Sequence, residues 1–297
     1  MFKRKIGALI ACATLMASAS ACSGVNTAAT NAGSDNKTVT LLTVAGYDDV
    51  VALNGLWQQL FQEHGYTLQT KQADLAAGYS GVARGDMDGF VDAWLPSTHG
   101  TYVDKYKDKL LIPEQPFYGN DRLVLVAPKS VPENTISEVV ANAEKYGSKV
   151  VGIEAGSGEM RILPDVLAKY GATDKLKIVA GSTPATLATL KDAAANNKPV
   201  VATLWQPHWA FTAMDIKVLE DDLSGWPKPD GSYVVFNKDY ASKNPEVVKW
   251  MTNMKLTDEQ FSTLMAEVSK TPSNPVDGAK KWLENPDNRK TVDSWFN

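Results

Sequence analysis

Met87-Asp-Gly-Phe-Val-Asp-Ala-Trp94, followed by Leu95-Pro96-Ser97-Thr98-His99, reads as a strand that ends on a tryptophan and stops at a proline. A second stretch has the same plan. Val200-Val-Ala-Thr-Leu204 is a β-branched strand, and Trp205-Gln-Pro-His-Trp209 follows it. In both, a Pro lies two residues after the first Trp. A Trp at the end of a strand points toward the crevice where open α/β sheets take ligands. Most tryptophans are core residues, but flanking Pro and His suit a loop better than a core.

Outward from these two segments the chain alternates strand and helix. Val39 to Ala45 is a buried strand. Val50 to His64 has apolar residues at helical spacing and ends at Gly65. Thr67–Thr70 is a further strand and Tyr79–Arg84 a short helix. Beyond Trp94, strands are predicted at Leu123–Ala127, Val150–Ile153, Lys177–Ala180 and Ile216–Leu219, with helices near Ile136–Tyr146 and Pro184–Asn196. This rhythm implies α/β layers with mainly parallel sheets. After the strand Ser232–Phe236 the chain turns helical. Asn244-Pro245 and Asn274-Pro275 place a cap before a Pro at the first helical position, and Thr257-Asp-Glu-Gln260 is a capping box.

The N-terminus reads as an address. Lys3-Arg4-Lys5 is basic, Ile6 to Met16 is apolar but too short to span a bilayer, and Ala17 to Ala21 are all small. Ala19-Ser20-Ala21-Cys22 resembles a bacterial lipobox, with Ala19 where Leu is usual; the resemblance implies cleavage before Cys22 and lipidation of its thiol. Residues 22–37 form a polar Ser/Asn/Ala/Gly-rich tether. The expected divisions are a signal peptide over 1–21, the tether over 22–37, and a body from residue 38.

Composition narrows the function classes. The 297 residues carry 30 Lys and Arg against 34 Asp and Glu, a net charge of −4. Without Lys3, Arg4 and Lys5 the balance is 27 against 34, a net of −7. That excludes a dedicated nucleic-acid binder, which needs clustered positive charge. The only two Cys, Cys12 and Cys22, lie in the leader, so disulfides, thiolate zinc sites and Cys nucleophiles are excluded from the body. His is limited to His64, His99 and His208, and no His-Glu-x-x-His, phosphate loop or Gly-x-Ser-x-Gly occurs. No metal, cofactor or enzyme activity is expected.

Aromatic residues carry more information. Eight Trp in an acidic chain suggest a cationic ligand. A quaternary ammonium has no N–H to donate, so several ring faces must converge on it, each worth about 0.5–2 kcal/mol. Asp48 and Asp49 either favour such a cation or offset a helix dipole. Gly152-Ile-Glu-Ala-Gly-Ser-Gly-Glu-Met160 is a strand end, a small-residue turn and a helix start, where free backbone N–H groups bind anions or merely make a tight turn.

Gly85-Asp-Met-Asp-Gly-Phe-Val-Asp-Ala-Trp-Leu-Pro-Ser-Thr-His99, Val151-Gly-Ile-Glu-Ala-Gly-Ser-Gly158 and Trp205-Gln-Pro-His-Trp209, together and in this order, resemble the glycine betaine-binding proteins of osmoprotectant ABC importers. The resemblance runs from about Val39 to Lys270. It implies a two-lobed α/β periplasmic-binding-protein fold, type II-like, closing on its ligand about a hinge. Lobe I would take residues 38–120 plus 230–297 and lobe II residues 121–229, with crossings near Tyr118 and Ser232. Trp94 and Trp205 would wall a trimethylammonium cage. His99 and the backbone N–H groups of Gly158 and Glu159 would hold a carboxylate. A third cage Trp, usual after the first strand, is replaced here by Gly46-Tyr47, so Tyr47, Tyr79, Phe117 and Tyr118 are candidates for that wall.

Glu159 poses a problem, because an acid beside a ligand carboxylate repels it. Either its side chain points away or the ligand lacks a carboxylate, as choline does. Trp209 and His208 are expected to pack, and Trp57, Trp226, Trp250, Trp282 and Trp295 to sit in core or helix packing. The implied protein is lipid-anchored at Cys22 on the extracellular face of the cell membrane, touching membrane only through that anchor. It would hand its ligand to a permease and ATPase. Choline or carnitine binding, a ligand-presenting sensor and a secreted hydrolase remain open alternatives.

Overall fold

The computed structural model describes residues 37–297. The signal peptide, Cys22 and all of the tether but Lys37 lie outside the described residues.

The first half builds one sheet. β1 (Thr38–Thr43) leads to α1 (Asp48–Glu63), β2 (Thr67–Gln72), α2 (Leu75–Arg84), β3 (Gly89–Leu95), α3 (Gly100–Tyr106) and β4 (Leu110–Leu111). β5 (Tyr118–Pro128) then carries the chain into a second sheet. There α4 (Ile136–Ala141), β6 (Lys149–Val151), α5 (Gly158–Lys169), β7 (Lys177–Val179), α6 (Thr183–Ala195), β8 (Ala202–Gln206), α7 (Ala210–Ala213) and β9 (Ile216–Val218) follow. β10 (Asp230–Asn237) returns to the first sheet. Five helices end the chain: α8 (Lys238–Lys243), α9 (Pro245–Thr252), α10 (Asp258–Ser269), α11 (Pro275–Leu283) and α12 (Pro286–Asp293).

The strands follow one hydrogen-bonded path, β2-β1-β3-β10-β5-β8-β6-β7, with β4 on β10 and β9 on β5. The outer pairs are parallel: β1 with β2 and β3, and β6 with β7 and β8. The middle is antiparallel, because β5 and β10 cross in opposite directions and pair with each other and with their neighbours. The expectation of mainly parallel sheets therefore fails where the chain passes from one sheet to the other.

Local chemistry explains the elements. Leu53, Leu56, Trp57, Leu60 and Phe61 give α1 one buried stripe, and Gly65 follows the helix at φ +77°, a conformation that suits Gly. β1 is buried on both faces, Val39 and Leu41 toward one core and Leu42 toward the other. The Thr257–Gln260 capping box forms as read, with both reciprocal hydrogen bonds. Asn244 and Asn274 do precede their helices, but neither caps with its side chain. Asn244 Nδ2 donates to the Tyr240 carbonyl, and Asn274 Nδ2 to Asp277. α3 and α12 were not anticipated, since GTYVDKY buries only Val103 and PDNRKTVD is almost wholly polar.

The first sheet has cores on both sides. One is closed by the C-terminal helices through Trp250, Phe261, Trp282 and Trp295. The second sheet packs Leu125, Ile136, Leu163, Leu190 and Leu204 into a core of its own.

A candidate ligand cavity walled by aromatic rings

The two Trp loops face one cavity. Trp94 ends β3, which pairs with β10 at Ser232, and Trp205 ends β8, which pairs with β5 at Leu123. Both loops carry a cis peptide, Leu95-Pro96 and Gln206-Pro207. Around a cavity of about 30 Å³ stand Tyr47, Trp94 and Trp205 with Leu123 and Ile153, and the polar groups Asp49, Asp92, Thr98, His99 and the Ser157–Glu159 turn. The Tyr47 and Trp205 rings lie 5.9 Å apart at 50°, so Tyr47 stands as a third aromatic wall.

His99 is oriented by its own loop. Its Nδ1 accepts the Trp94 backbone N–H at 3.0 Å, which leaves the proton on Nε2. Burial, helped by the Arg161 charge, lowers its pKa to about 3, so the ring is neutral at physiological pH and offers one N–H. Asp230 on β10 fixes the loop. It accepts the Ser97 N–H at 2.7 Å, the Thr98 N–H at 2.9 Å and the Thr98 hydroxyl at 2.6 Å.

The opposite side is the start of α5. Ser157 is the N-cap, and its hydroxyl accepts the Met160 N–H at 3.1 Å. Gly158 and Glu159 occupy the first two helical positions, where backbone N–H groups have no partner within the helix. A Cβ on Gly158 would lie 2.4 Å from the Thr98 carbonyl oxygen and from its Cγ2, so the close approach of helix to loop requires glycine. Arg161 reaches across as well, donating from Nη2 to the Ser97 carbonyl at 2.9 Å and the Thr98 carbonyl at 3.2 Å.

Glu159 resolves its own problem. Its side chain is buried, and neither carboxyl oxygen has a hydrogen-bond partner among the described residues. Desolvation raises its pKa well above the ordinary value, beyond what the backbone near Leu204 and Val124 offsets. Burial therefore favours its neutral form, which lessens the repulsion of a ligand carboxylate.

Three further acids collect behind Trp94. Asp92 lies two residues before Trp94, on the same face of β3, and accepts its indole N–H at 3.3 Å. Burial raises the Asp92 pKa to about 6, against the opposing influence of the polar groups of Ser232, Asp49 and Trp94. Burial and the Asp92 charge hold Asp49 and Asp121 well above the carboxylate range. Asp121 accepts the Ser232 hydroxyl at 2.8 Å. Sequence reading passed over Asp92 and Asp121; the period of two that pairs Asp92 with Trp94 was the available signal.

The remaining candidates sit elsewhere. Tyr79 is buried behind His99, edge-on to it at 5.9 Å and stacked on Tyr102, and does not line the cavity. Phe117 and Tyr118 pack against Phe261 in the first sheet's core, because the start of β5 faces the C-terminal helices; they are not cage walls. Trp209 donates its indole N–H to Asp48, and His208 meets the Trp205 ring edge-on at 4.8 Å. His208 Nε2 is 3.6 Å from Asp48, yet burial lowers the His208 pKa to about 3, so the contact is not an ion pair. Trp57, Trp250, Trp282 and Trp295 are core residues, and Trp226 packs against the second core.

Two sheets joined by two crossing strands, with an aromatic-walled cavity where they meet, define a binding protein of the periplasmic type. The chain belongs to the family described as the substrate binding domain of ABC-type glycine betaine transport systems, whose model matches residues 37–285. The glycine betaine/carnitine transport binding protein GbuC of Listeria monocytogenes is 30% identical over 143 residues, which is 48% of this chain and 47% of that protein. The chain thus spans about half the length of this curated relative. A lactococcal OpuAC, solved closed with glycine betaine, superposes with a TM-score of 0.78 at 30% identity, covering 88% of this chain and 99% of its own. A glycine betaine/L-proline-binding protein (ProX) from Borrelia burgdorferi also gives a TM-score of 0.78, at 24% identity over 88% of this chain and 100% of its own. A choline binding protein in complex with choline gives 0.76, at 19% identity over 88% and 92%. The last two speak to the fold alone. Among the described residues no helix is long and apolar enough to cross a membrane.

Proposed function

We propose that this chain captures glycine betaine or a related quaternary ammonium solute outside the cell and delivers it to an ABC importer. One observation carries the reading. Tyr47, Trp94 and Trp205 wall a cavity that also presents donors: the His99 Nε2–H and the Gly158 and Glu159 N–H groups. The rings would take the trimethylammonium group and the donors its carboxylate. The proposed role is the binding of an intact solute.

Lobe I is assigned residues 38–120 and 230–297, and lobe II residues 121–229. Closure would turn on the crossings of β5 near Tyr118 and β10 near Ser232. Because Trp94 and Trp205 come from opposite lobes, a ligand that touches both favours the closed form. The N-terminal address supports an anchor at Cys22 on the extracellular face of the membrane, with permease and ATPase subunits as partners. Choline is the second reading, favoured by Asp49 in the cavity wall.

Titration calorimetry with glycine betaine, choline, carnitine and unmethylated glycine tests this. Betaine is expected to bind while glycine gives no heat. Silence from all three methylated compounds would overturn the assignment.

A further inference from the structure

We propose that the carboxyl cluster Asp49–Asp92–Asp121 behind Trp94 sets the net charge of the ligand, giving up a proton when a cation enters the cage and keeping it when a zwitterion does. The inference rests on the quaternary ammonium reading above and makes Asp92 its specificity-determining residue.

The geometry places three acids from three elements in one spot. Asp49 comes from the first turn of α1, Asp92 from β3 and Asp121 from β5. Asp49 and Asp92 line the cavity itself, and Asp92 is joined to the cage wall through the Trp94 indole. Asp92 is 1% exposed and Asp121 2%, yet Oδ1 of each has no hydrogen-bond partner among the described residues. A buried acceptor is rarely left so, and one beside an aromatic wall suits a positive charge.

The surroundings decide how that charge is balanced. Asp48 from α1, Tyr79 from α2 and Asp230 from β10 face the cluster, with Tyr47 and Glu159 around the cavity. His99 is neutral. No Lys or Arg is among the groups that act on Asp49, Asp92 or Asp121. Arg161, the basic group near His99, is engaged by the Ser97 and Thr98 carbonyls. Adjacent carboxylates without a cation resist ionising together, and Asp92, raised to about 6, is the one poised to titrate. At an effective dielectric of about 20, a unit positive charge about 5 Å away lowers a neighbouring carboxyl by roughly two pH units. A choline-like cation therefore expels a proton from the cluster. A betaine brings its own carboxylate to the His99 side, which cancels part of that field and leaves the proton in place.

The test is calorimetric titration of the full-length protein with choline chloride and with glycine betaine. Each is run at pH 6.5 in phosphate and in Tris, whose ionisation heats differ. The buffer dependence counts protons exchanged. Choline is expected to release roughly a quarter of a proton, and its affinity to rise about three- to fourfold between pH 5.5 and 7.0, as linkage requires. Betaine is expected to release much less and to change by under about twofold. Asp92→Asn should abolish the choline proton release and flatten its pH profile. Because the wild-type protein decides the main point, a variant that fails to fold does not rescue the idea. Choline heat that is independent of buffer, or equal release by both ligands, overturns the proton coupling alone. No heat from either ligand overturns this inference, and silence from carnitine as well overturns the proposed function with it.

Discussion

Gly158→Ala adds a single methyl group at the closest approach of the cavity's two sides. Its Cβ would meet the Thr98 carbonyl oxygen and Cγ2 at 2.4 Å and the carbonyl carbon at 3.1 Å. Two of these three atoms are backbone, and Asp230 holds the loop by two backbone N–H bonds and one from the Thr98 hydroxyl. The loop cannot swing aside cheaply, so α5 must retreat by about 1 Å to restore ordinary contact. The Gly158 and Glu159 N–H groups retreat with it. A hydrogen bond stretched from about 2.9 to about 3.9 Å is no longer one. Each such bond to a charged group is worth about 1.5–3 kcal/mol, so losing even one costs betaine at least tenfold in affinity. Choline has no carboxylate to lose and is expected to weaken less. Overpacking of this kind costs about 1–3 kcal/mol, so the melting temperature should fall by several degrees while the protein stays folded. Calorimetric titration and a thermal melt on the same protein decide the matter. Unchanged betaine affinity would show that the α5 start does not hold the carboxylate.

Trp94→Ala and Trp205→Ala should each weaken quaternary ammonium binding by about tenfold or more, since each removes ring face worth on the order of 1–2 kcal/mol; unchanged titration isotherms in both would remove the cage. Asp230→Ala leaves two buried N–H groups and a hydroxyl without their acceptor, and should cost about 3 kcal/mol in urea denaturation. A loss under about 0.5 kcal/mol would mean the Pro96 loop is held by other contacts. The folded pKa of His208 is about 3, far below its unfolded value near 6.5. Its contribution is complete above pH 6.5 and is lost as pH falls toward 3. The destabilisation caused by His208→Gln should therefore be about 2 kcal/mol smaller at pH 5 than at pH 7, and an equal cost at both would refute a buried neutral ring. The raised acids Asp49, Asp121 and Glu159 act with the opposite sign, losing stability as pH rises through their folded values. Comparing the variant with wild type cancels them.

The order of elements was legible because β-branched runs and helical spacing are local signals. The Trp94 and Trp205 loops were legible for a similar reason, since a Trp at a strand end next to a Pro has few other uses. Tyr47 was a candidate through the resemblance alone, as the residue next to the missing cage Trp, and the structure places it on the cavity. Long-range pairing left no such mark. That β10 lies between β3 and β5, and so turns the middle of the sheet antiparallel, depends on where a distant strand returns. Phe117 and Tyr118 were misplaced because an aromatic at a crossing can face either the cleft or the helices beneath it. The acids were hidden for another reason. Every residue of β3 from Gly89 to Trp94 is buried, so no alternation of polar and apolar residues singles out Asp92. Only the indole N–H beside it reveals what its carboxylate serves.

The return of the chain through β10 also governs when the molecule can become whole. Trp57 near the middle of α1 lies against Trp295, their rings 5.7 Å apart, and donates its indole N–H to Met254. Gly55 leaves room for Pro275. A ribosome delivers α1 some two hundred residues before it delivers these partners. Until then the α1 stripe has only the sheet residues Val39, Leu41, Leu68 and Val91 to pack on, and half of the first sheet's core waits on the last helices. Contacts so distant along the chain slow folding and prolong the exposure of apolar surface. The last helices are thus what completes the core that the first helix begins.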